Sequence, residues 1–136
     1  MSGVQEGTVL LEGQHRGEFL VSEARGYRSR EVGTLTNGGA SAVVYPAGLV
    51  LAMTAEPTKG VPATLAAYTA TETAGTAAAI LFETLTLAAG ASAKSTIVVR
   101  DAEVNTGELF FDATVTTGAE QLVIVKQLET QGVIAR

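Results

Sequence analysis

Short apolar runs alternate along this chain with turn-forming residues at close intervals. Candidate strands fall at Ala42-Val43-Val44-Tyr45, Gly48-Leu49-Val50-Leu51-Ala52, 65–70, 78–87, 96–100 and 108–115. Between them stand Asn37-Gly38-Gly39, Pro46-Ala47-Gly48, Glu56-Pro57, Lys59-Gly60-Val61-Pro62, Ala89-Gly90, Asn105-Thr106-Gly107 and Thr117-Gly118. Punctuation of this kind predicts a β-rich domain. Ile80-Leu81-Phe82 is a continuous apolar run, followed by alternation through Thr84, Leu85, Thr86 and Leu87, and it predicts the central strand. The Thr- and Ala-rich stretch 69–79 reads as a loop running into that strand. Over 117–132 the pattern predicts a helix, because Thr117 and Glu120 have capping-box spacing and Gly132 stands where a left-handed residue ends a helix. Leu122, Val125 and Leu128 then share a face, although the β-branched Val123-Ile124-Val125 would also suit a strand. Val133-Ile134 is expected to dock as an apolar segment beyond the cap.

Residues 1–30 differ, being rich in Gly and charge and lacking sustained periodicity. They carry Arg16, Arg25, Arg28 and Arg30, four of the nine basic residues. From Arg16 to Arg30 the balance against Glu18 and Glu23 is +2, so the rest of a chain with net charge -5 carries -7. Such segregation marks an interaction tail. The expected organisation is therefore an extended N-terminal arm, 1–30, laid on a partner, and a β-rich domain, 31–136. The class is mainly β (α+β), with a short C-terminal helix.

Composition sharpens this picture. With 136 residues there is room for one domain, and 46% hydrophobic but only 5% aromatic residues, with no Trp, imply a core of small and β-branched side chains. Association would supply burial that such a core lacks. The absence of Cys excludes disulfides and thiolate metal sites. No basic stretch leads into an apolar one near the start and no run of 18 apolar residues follows, so a soluble protein without a standard secretion signal or membrane partner is expected. The acidic balance opposes binding to nucleic acid or anionic lipid.

Catalytic chemistry finds little support. His15 is the only imidazole and lies beside Arg16 in the arm, and neither it nor Ser22 has the oriented base or oxyanion site that a nucleophile needs. Asp101, Glu103, Glu108 and Asp112 match no calcium loop, and alternation places Asp101 and Glu103 on one solvated face, so no metal or other cofactor is expected. Phosphate-binding glycine motifs are missing. Tyr27, between Arg25 and Arg28, has the character of a protein-interface anchor rather than a base-stacking platform.

The segment Gly17-Glu18-Phe19-Leu20-Val21-Ser22-Glu23-Ala24-Arg25-Gly26-Tyr27-Arg28-Ser29-Arg30-Glu31 resembles the N-terminal stretch of the lambda-type head decoration proteins of tailed bacteriophages. Pro46-Ala47-Gly48-Leu49-Val50-Leu51, Gly75-Thr76-Ala77-Ala78-Ala79-Ile80-Leu81 and Arg100-Asp101-Ala102-Glu103-Val104-Asn105 with Glu108-Leu109 are similar to three later segments of that family. The end, Leu128 to Arg136, is similar to its closing helix and short apolar terminus. The likeness runs from about Gly17 to Arg136, and the insert 54–62 has no family counterpart.

This resemblance implies a structural, non-enzymatic protein that binds as homotrimers to the major capsid protein on the outer surface of an expanded head, after assembly in the host cytoplasm. It would stabilise the shell against the pressure of packaged DNA. An arm of this kind joins an exposed strand edge of the shell, which requires few special side chains. Phe19, Leu20 and Val21 are then expected as apolar capsid contacts, and Tyr27, Arg28 and Arg30 as anchors. An alternative is a phage or bacterial surface adhesion module binding carbohydrate, disfavoured by the scarcity of aromatic rings.

Overall fold

The computed structural model describes residues 15–25, 28–70 and 76–136. Five strands close into a barrel: β2 (Arg30–Thr36), β5 (Ala63–Ala67), β4 (Val50–Ala55), β6 (Ala77–Leu81) and β8 (Ser92–Val98), in that order round the ring. Only β2 and β5 run parallel; the other four pairings are antiparallel. Closure leaves the barrel no free edge to pair with other chains.

A five-stranded barrel is narrow, and this sequence fills it with a few branched side chains among small ones. Leu35, Leu51, Leu65, Leu81 and Ile97 meet inside, with Ala63 and Ala79 between them. At Gly33, on β2, a Cβ would come within 2.4 Å of Leu65 Cδ1 and 2.9 Å of Ile97 Cδ1, so any larger residue would force these two core side chains to shift. The run Ala77–Leu81 is apolar throughout because β6 is buried on both sides. Ala79 and Leu81 point into the barrel, whereas Ala77 and Ile80 point outward into a second core.

That second core lies between the barrel wall and an outer layer. The layer is the helix α1 (Gly118–Thr130) and a three-stranded sheet in the order β1 (Leu20–Glu23), β9 (Ala102–Val104), β10 (Val133–Ala135). Phe19, Val50, Ile80, Val98, Val104, Ile124, Leu128 and Val133 pack there. A small ladder, β3 (Val43–Tyr45) with β7 (Leu85–Leu87), carries Tyr45 and Leu87 onto the barrel core.

The expected β-rich class and short C-terminal helix are both present, whereas the run expected as the central strand supplies β6, one of five equivalent members of a closed ring that has no centre. The helix has its capping box: Glu120 N–H donates to Thr117 Oγ1 at 3.2 Å, and the Glu120 carboxylate accepts from Thr116 and Thr117 N–H at 2.7 and 3.3 Å. Gly132 follows with φ +89°, the left-handed conformation expected there. Its buried face differs from the expected one, being Ile124 and Leu128, while Leu122 is 53% exposed.

Two further expectations are corrected. The run 78–87 is not one strand: it bends at Phe82–Thr84 so that β6 stays in the barrel and β7 leaves to pair with β3. The stretch 108–115 is not a strand either. A 3-10 turn at Thr106–Glu108, with Asn105 Oδ1 accepting from Gly107 N–H at 3.0 Å, leads into irregular chain joined to Leu49 by one bridge at Phe110. Residues 18–25 and 28–30 pack with the domain. Phe19 is fully buried, β1 pairs with β9, and Arg30 opens the barrel strand β2.

Candidate interaction surface

Chain topology brings four segments together on one side of the molecule: β1 with the residues just before it, the start of β2, the β8–β9 connection, and β10. The β1–β9 ladder pairs Leu20 with Val104, Ser22 with Glu103 and Glu23 with Ala102, with a register shift at Val21. On the other side of β9, Ile134 of β10 lies opposite Glu103. Ala102, Val104 and Val133 face the core, so the outer face presents Ser22, Glu103 and Ile134, with Val21 standing out of the ladder at 57% exposure.

Paired charges cover this side. Arg28 Nε lies 2.8 Å from Asp101 Oδ2, and Asp101 adopts φ +49°, the one described non-glycine residue with positive φ. Arg100 pairs with Glu31 and also donates from Nη1 to Arg28 O at 2.7 Å. Arg136 donates to Glu103 Oε1 through Nε at 2.8 Å and Nη2 at 2.6 Å, while Ser22 Oγ donates to Glu103 Oε2 at 3.0 Å. These bonds, the Arg136 ones foremost, hold the Glu103 carboxyl below its ordinary value. Deeper in, Arg30 donates to both oxygens of Glu23, and Ser29 Oγ donates to Glu23 Oε2 at 2.5 Å. The Arg30 hydrogen bonds lower the Glu23 carboxyl against the opposing effect of burial.

The residues expected at the capsid contact thus fall into different environments. Phe19 is a core residue with no exposed surface, because its ring fills the space between the barrel wall and the outer sheet. Leu20 is half-buried against the same core, and Val21 is exposed. Arg28 is well exposed but already paired, and Arg30 is half-buried, paired, and 4.0 Å above the Phe82 ring. Tyr27 and residues 1–14 of the expected arm lie outside the described residues.

The sequence reading missed the carboxylate partners Glu23, Glu31, Asp101 and Glu103. A signal for them existed in the segregated charge, since a basic 16–30 segment beside an acidic domain can be satisfied within one chain. Arg16–Glu83, at 3.1 Å, and Arg28–Asp101 are two such pairs. The expectation that Asp101 and Glu103 form a solvated face omits these cation partners. Among the described residues, no three of His, Cys, Asp and Glu are grouped so as to hold a metal ion, and no helix is long and apolar enough to cross a membrane.

Comparison with known proteins gives one family: the model of the bacteriophage lambda head decoration protein D matches residues 9–133, nearly the whole chain. No curated protein and no solved structure gives a significant match.

Proposed function

The chain belongs to the bacteriophage lambda head decoration protein D family, and from this membership, which makes it a structural capsid decoration protein, we propose how it acts. It binds the major capsid protein on the outer surface of the expanded head as three-fold clusters, and each cluster ties neighbouring capsomers together against the pressure of packaged DNA. The observation that carries this reading is the extent of the family match, which takes in the closed barrel, the helix, strands β1 and β9 of the outer sheet and part of the N-terminal segment.

The fold supports the division of labour. A barrel without edges does not pair promiscuously with other chains. The outer face of β1, β9 and β10 holds Val21 and Ile134 exposed within a frame of ion pairs. Residues 1–14 supply the segment that joins an edge of the shell, a mode driven mainly by backbone hydrogen bonds. Val21 and Arg28 are the proposed contacts on the described surface and Tyr27 a further proposed contact, with Leu20 and Arg30 supporting them and Phe19 holding β1 in place from the core.

Cosedimentation of the purified chain with expanded and unexpanded empty shells tests the reading. Saturable binding to expanded shells, weakened in a Tyr27→Ala and Arg28→Ala double variant, is the expected result. Equal binding to both shell forms, or to neither, contradicts it.

A further inference from the structure

Asn37, just beyond the end of β2, ties together the chain at one mouth of the barrel. It is buried, although every residue from Gly38 to Val44 is exposed. Nδ2 donates to Ser41 O at 2.9 Å and to Leu87 O and Ala88 O, both at 3.2 Å, while Oδ1 accepts from Gly39 N–H at 3.0 Å. The backbone adds a bond from Asn37 N–H to Ala91 O at 2.9 Å. One carboxamide thus joins the end of β2, the loop 38–42 and the chain leaving β7. What it secures is the β3–β7 ladder, which brings Tyr45 and Leu87 onto the barrel core.

The same residue stands in a chemically reactive context. Glycine follows it, and without a side chain on Gly38 the peptide nitrogen can approach Asn37 Cγ with little hindrance. Attack forms the Gly38 N–Cγ bond of a succinimide and breaks the Cγ–Nδ2 bond, and Nδ2 leaves as ammonia with the proton that Gly38 N gives up. Water then opens the ring at either carbonyl, leaving aspartate or isoaspartate. The closed fold opposes the first step, because Nδ2 must part from three acceptors and the carboxamide must turn before Gly38 N can meet Cγ. The loop itself is lightly held, since nothing lies within 4 Å of where a Cβ on Gly38 would stand. Exposed loops of this kind open at a smaller cost in free energy than the core does.

Once the reaction has occurred, the loop cannot close as before. An aspartate sets an oxygen where Nδ2 stood, facing the Ser41, Leu87 and Ala88 carbonyls with no hydrogen to share. Isoaspartate inserts a methylene into the backbone between the bond to Ala91 and the turn at Gly39.

We propose that Asn37-Gly38 is a modification site gated by its own loop: the closed latch protects Asn37, opening lets it deamidate, and the product leaves the β3–β7 ladder loosened for good. The site is independent of shell binding, and it records the time the latch has spent open.

The test follows residue 37 in the full chain, folded and in denaturant, in mildly alkaline buffer, by peptide mapping that separates asparagine, aspartate and isoaspartate. Asn105, the other asparagine, precedes the β-branched Thr106 and is the slow reference. In denaturant, position 37 is expected to convert well ahead of Asn105. In the folded chain its conversion should be slower by about tenfold or more, yet faster than the measured global stability alone would allow, because the loop opens without the barrel. Gly38→Ala, at a position outside the left-handed region and open to a Cβ, should keep the thermal midpoint and slow conversion in denaturant. Asn37→Asp supplies a product directly and should speed hydrogen exchange at 43–45 and 85–87 while β4 and β6 keep the parental rates. Where that variant fails to fold, the converted fraction of aged parent protein gives the same readout. Equal conversion in folded and unfolded chains, a folded rate no faster than global unfolding allows, or no lead over Asn105 in denaturant overturns the proposal. So does an unchanged rate in Gly38→Ala, or parental exchange at 43–45 and 85–87 in the converted chain.

Discussion

Glu23 accepts hydrogen bonds from Ser29 Oγ and from two nitrogens of Arg30, and this concentration of donors around one carboxylate gives the outer sheet a pH dependence. Arg30 lowers the Glu23 carboxyl most, with Ser29 adding to it and burial opposing both. A depressed folded value means that the contribution to stability is complete above the ordinary carboxylate range and is lost as pH falls through the lowered one. Acid titration followed by circular dichroism should therefore show Glu23→Gln less stable than the parent by about 2 kcal/mol at neutral pH, with the difference closing toward low pH. A difference that stays constant across the titration would contradict this account. The opposite case sits inside the barrel. Ser95 follows Ala93 and precedes Ile97 on the inward face of β8, and its buried hydroxyl has no hydrogen-bond partner among the described residues. An unpaired buried hydroxyl costs free energy that a methyl group does not, so Ser95→Ala should raise stability by about 1 kcal/mol in a denaturant titration.

At the scale of elements, β1 and the turn before it pack with the rest of the domain. Removing residues 1–30 takes away Phe19, the β1 ladder on β9, and the Arg30 contacts. Loss of the Phe19 ring alone costs on the order of 3–5 kcal/mol. The 31–136 fragment should therefore melt far below the full chain, or fail to fold, whereas a 15–136 fragment, which keeps every described core residue, should melt within a few degrees of it. Equal midpoints for the two fragments would return β1 to the status of a detachable arm. The helix end offers a smaller test: Thr117→Ala breaks the capping box and should cost about 1 kcal/mol. These elements also show what the sequence made legible. The capping box and Gly132 mark both ends of α1 because end signals are local. Its buried face was not legible, since residues 122–125 are all apolar and only packing against β6 and β10 selects Ile124 and Leu128. Strand β2 escaped notice because its inward positions are Gly33 and Leu35 while Val32 points out, so the apolar pattern follows neither face. Strands β9 and β10 have three residues each, too few for a period to declare itself. The exposed Val21 and the ion pairs around it depend on contacts between residues as far apart as Ser22 and Glu103, which no local pattern encodes.

For the whole molecule, the cementing role proposed above follows from mass action. A protein that binds an assembled shell but not its separated subunits stabilises the assembly by RT ln(1 + [L]/Kd) per site, about 2.7 kcal/mol when the free concentration is one hundred times Kd. Rupture of a DNA-filled head starts where a few neighbouring contacts fail, so a clamp that spans capsomers raises the barrier at each place where failure could begin. The closed barrel leaves no edge to open, and the turn at 15–19 is fastened to the bend after β6 by Gly17 N–H donating to Phe82 O and by the Arg16–Glu83 pair. Full heads coated with the parent chain should release DNA at a higher temperature than bare heads, and the shift should grow with coverage until the sites are filled. The 15–136 fragment at equal concentration should give little or no shift, because it keeps the fold but lacks the joining segment. Particle images of the coated heads should show density in three-fold clusters. Equal release temperatures for coated and bare heads, at a coverage shown by those images to be complete, would remove the cementing role and leave a protein that decorates the shell without strengthening it.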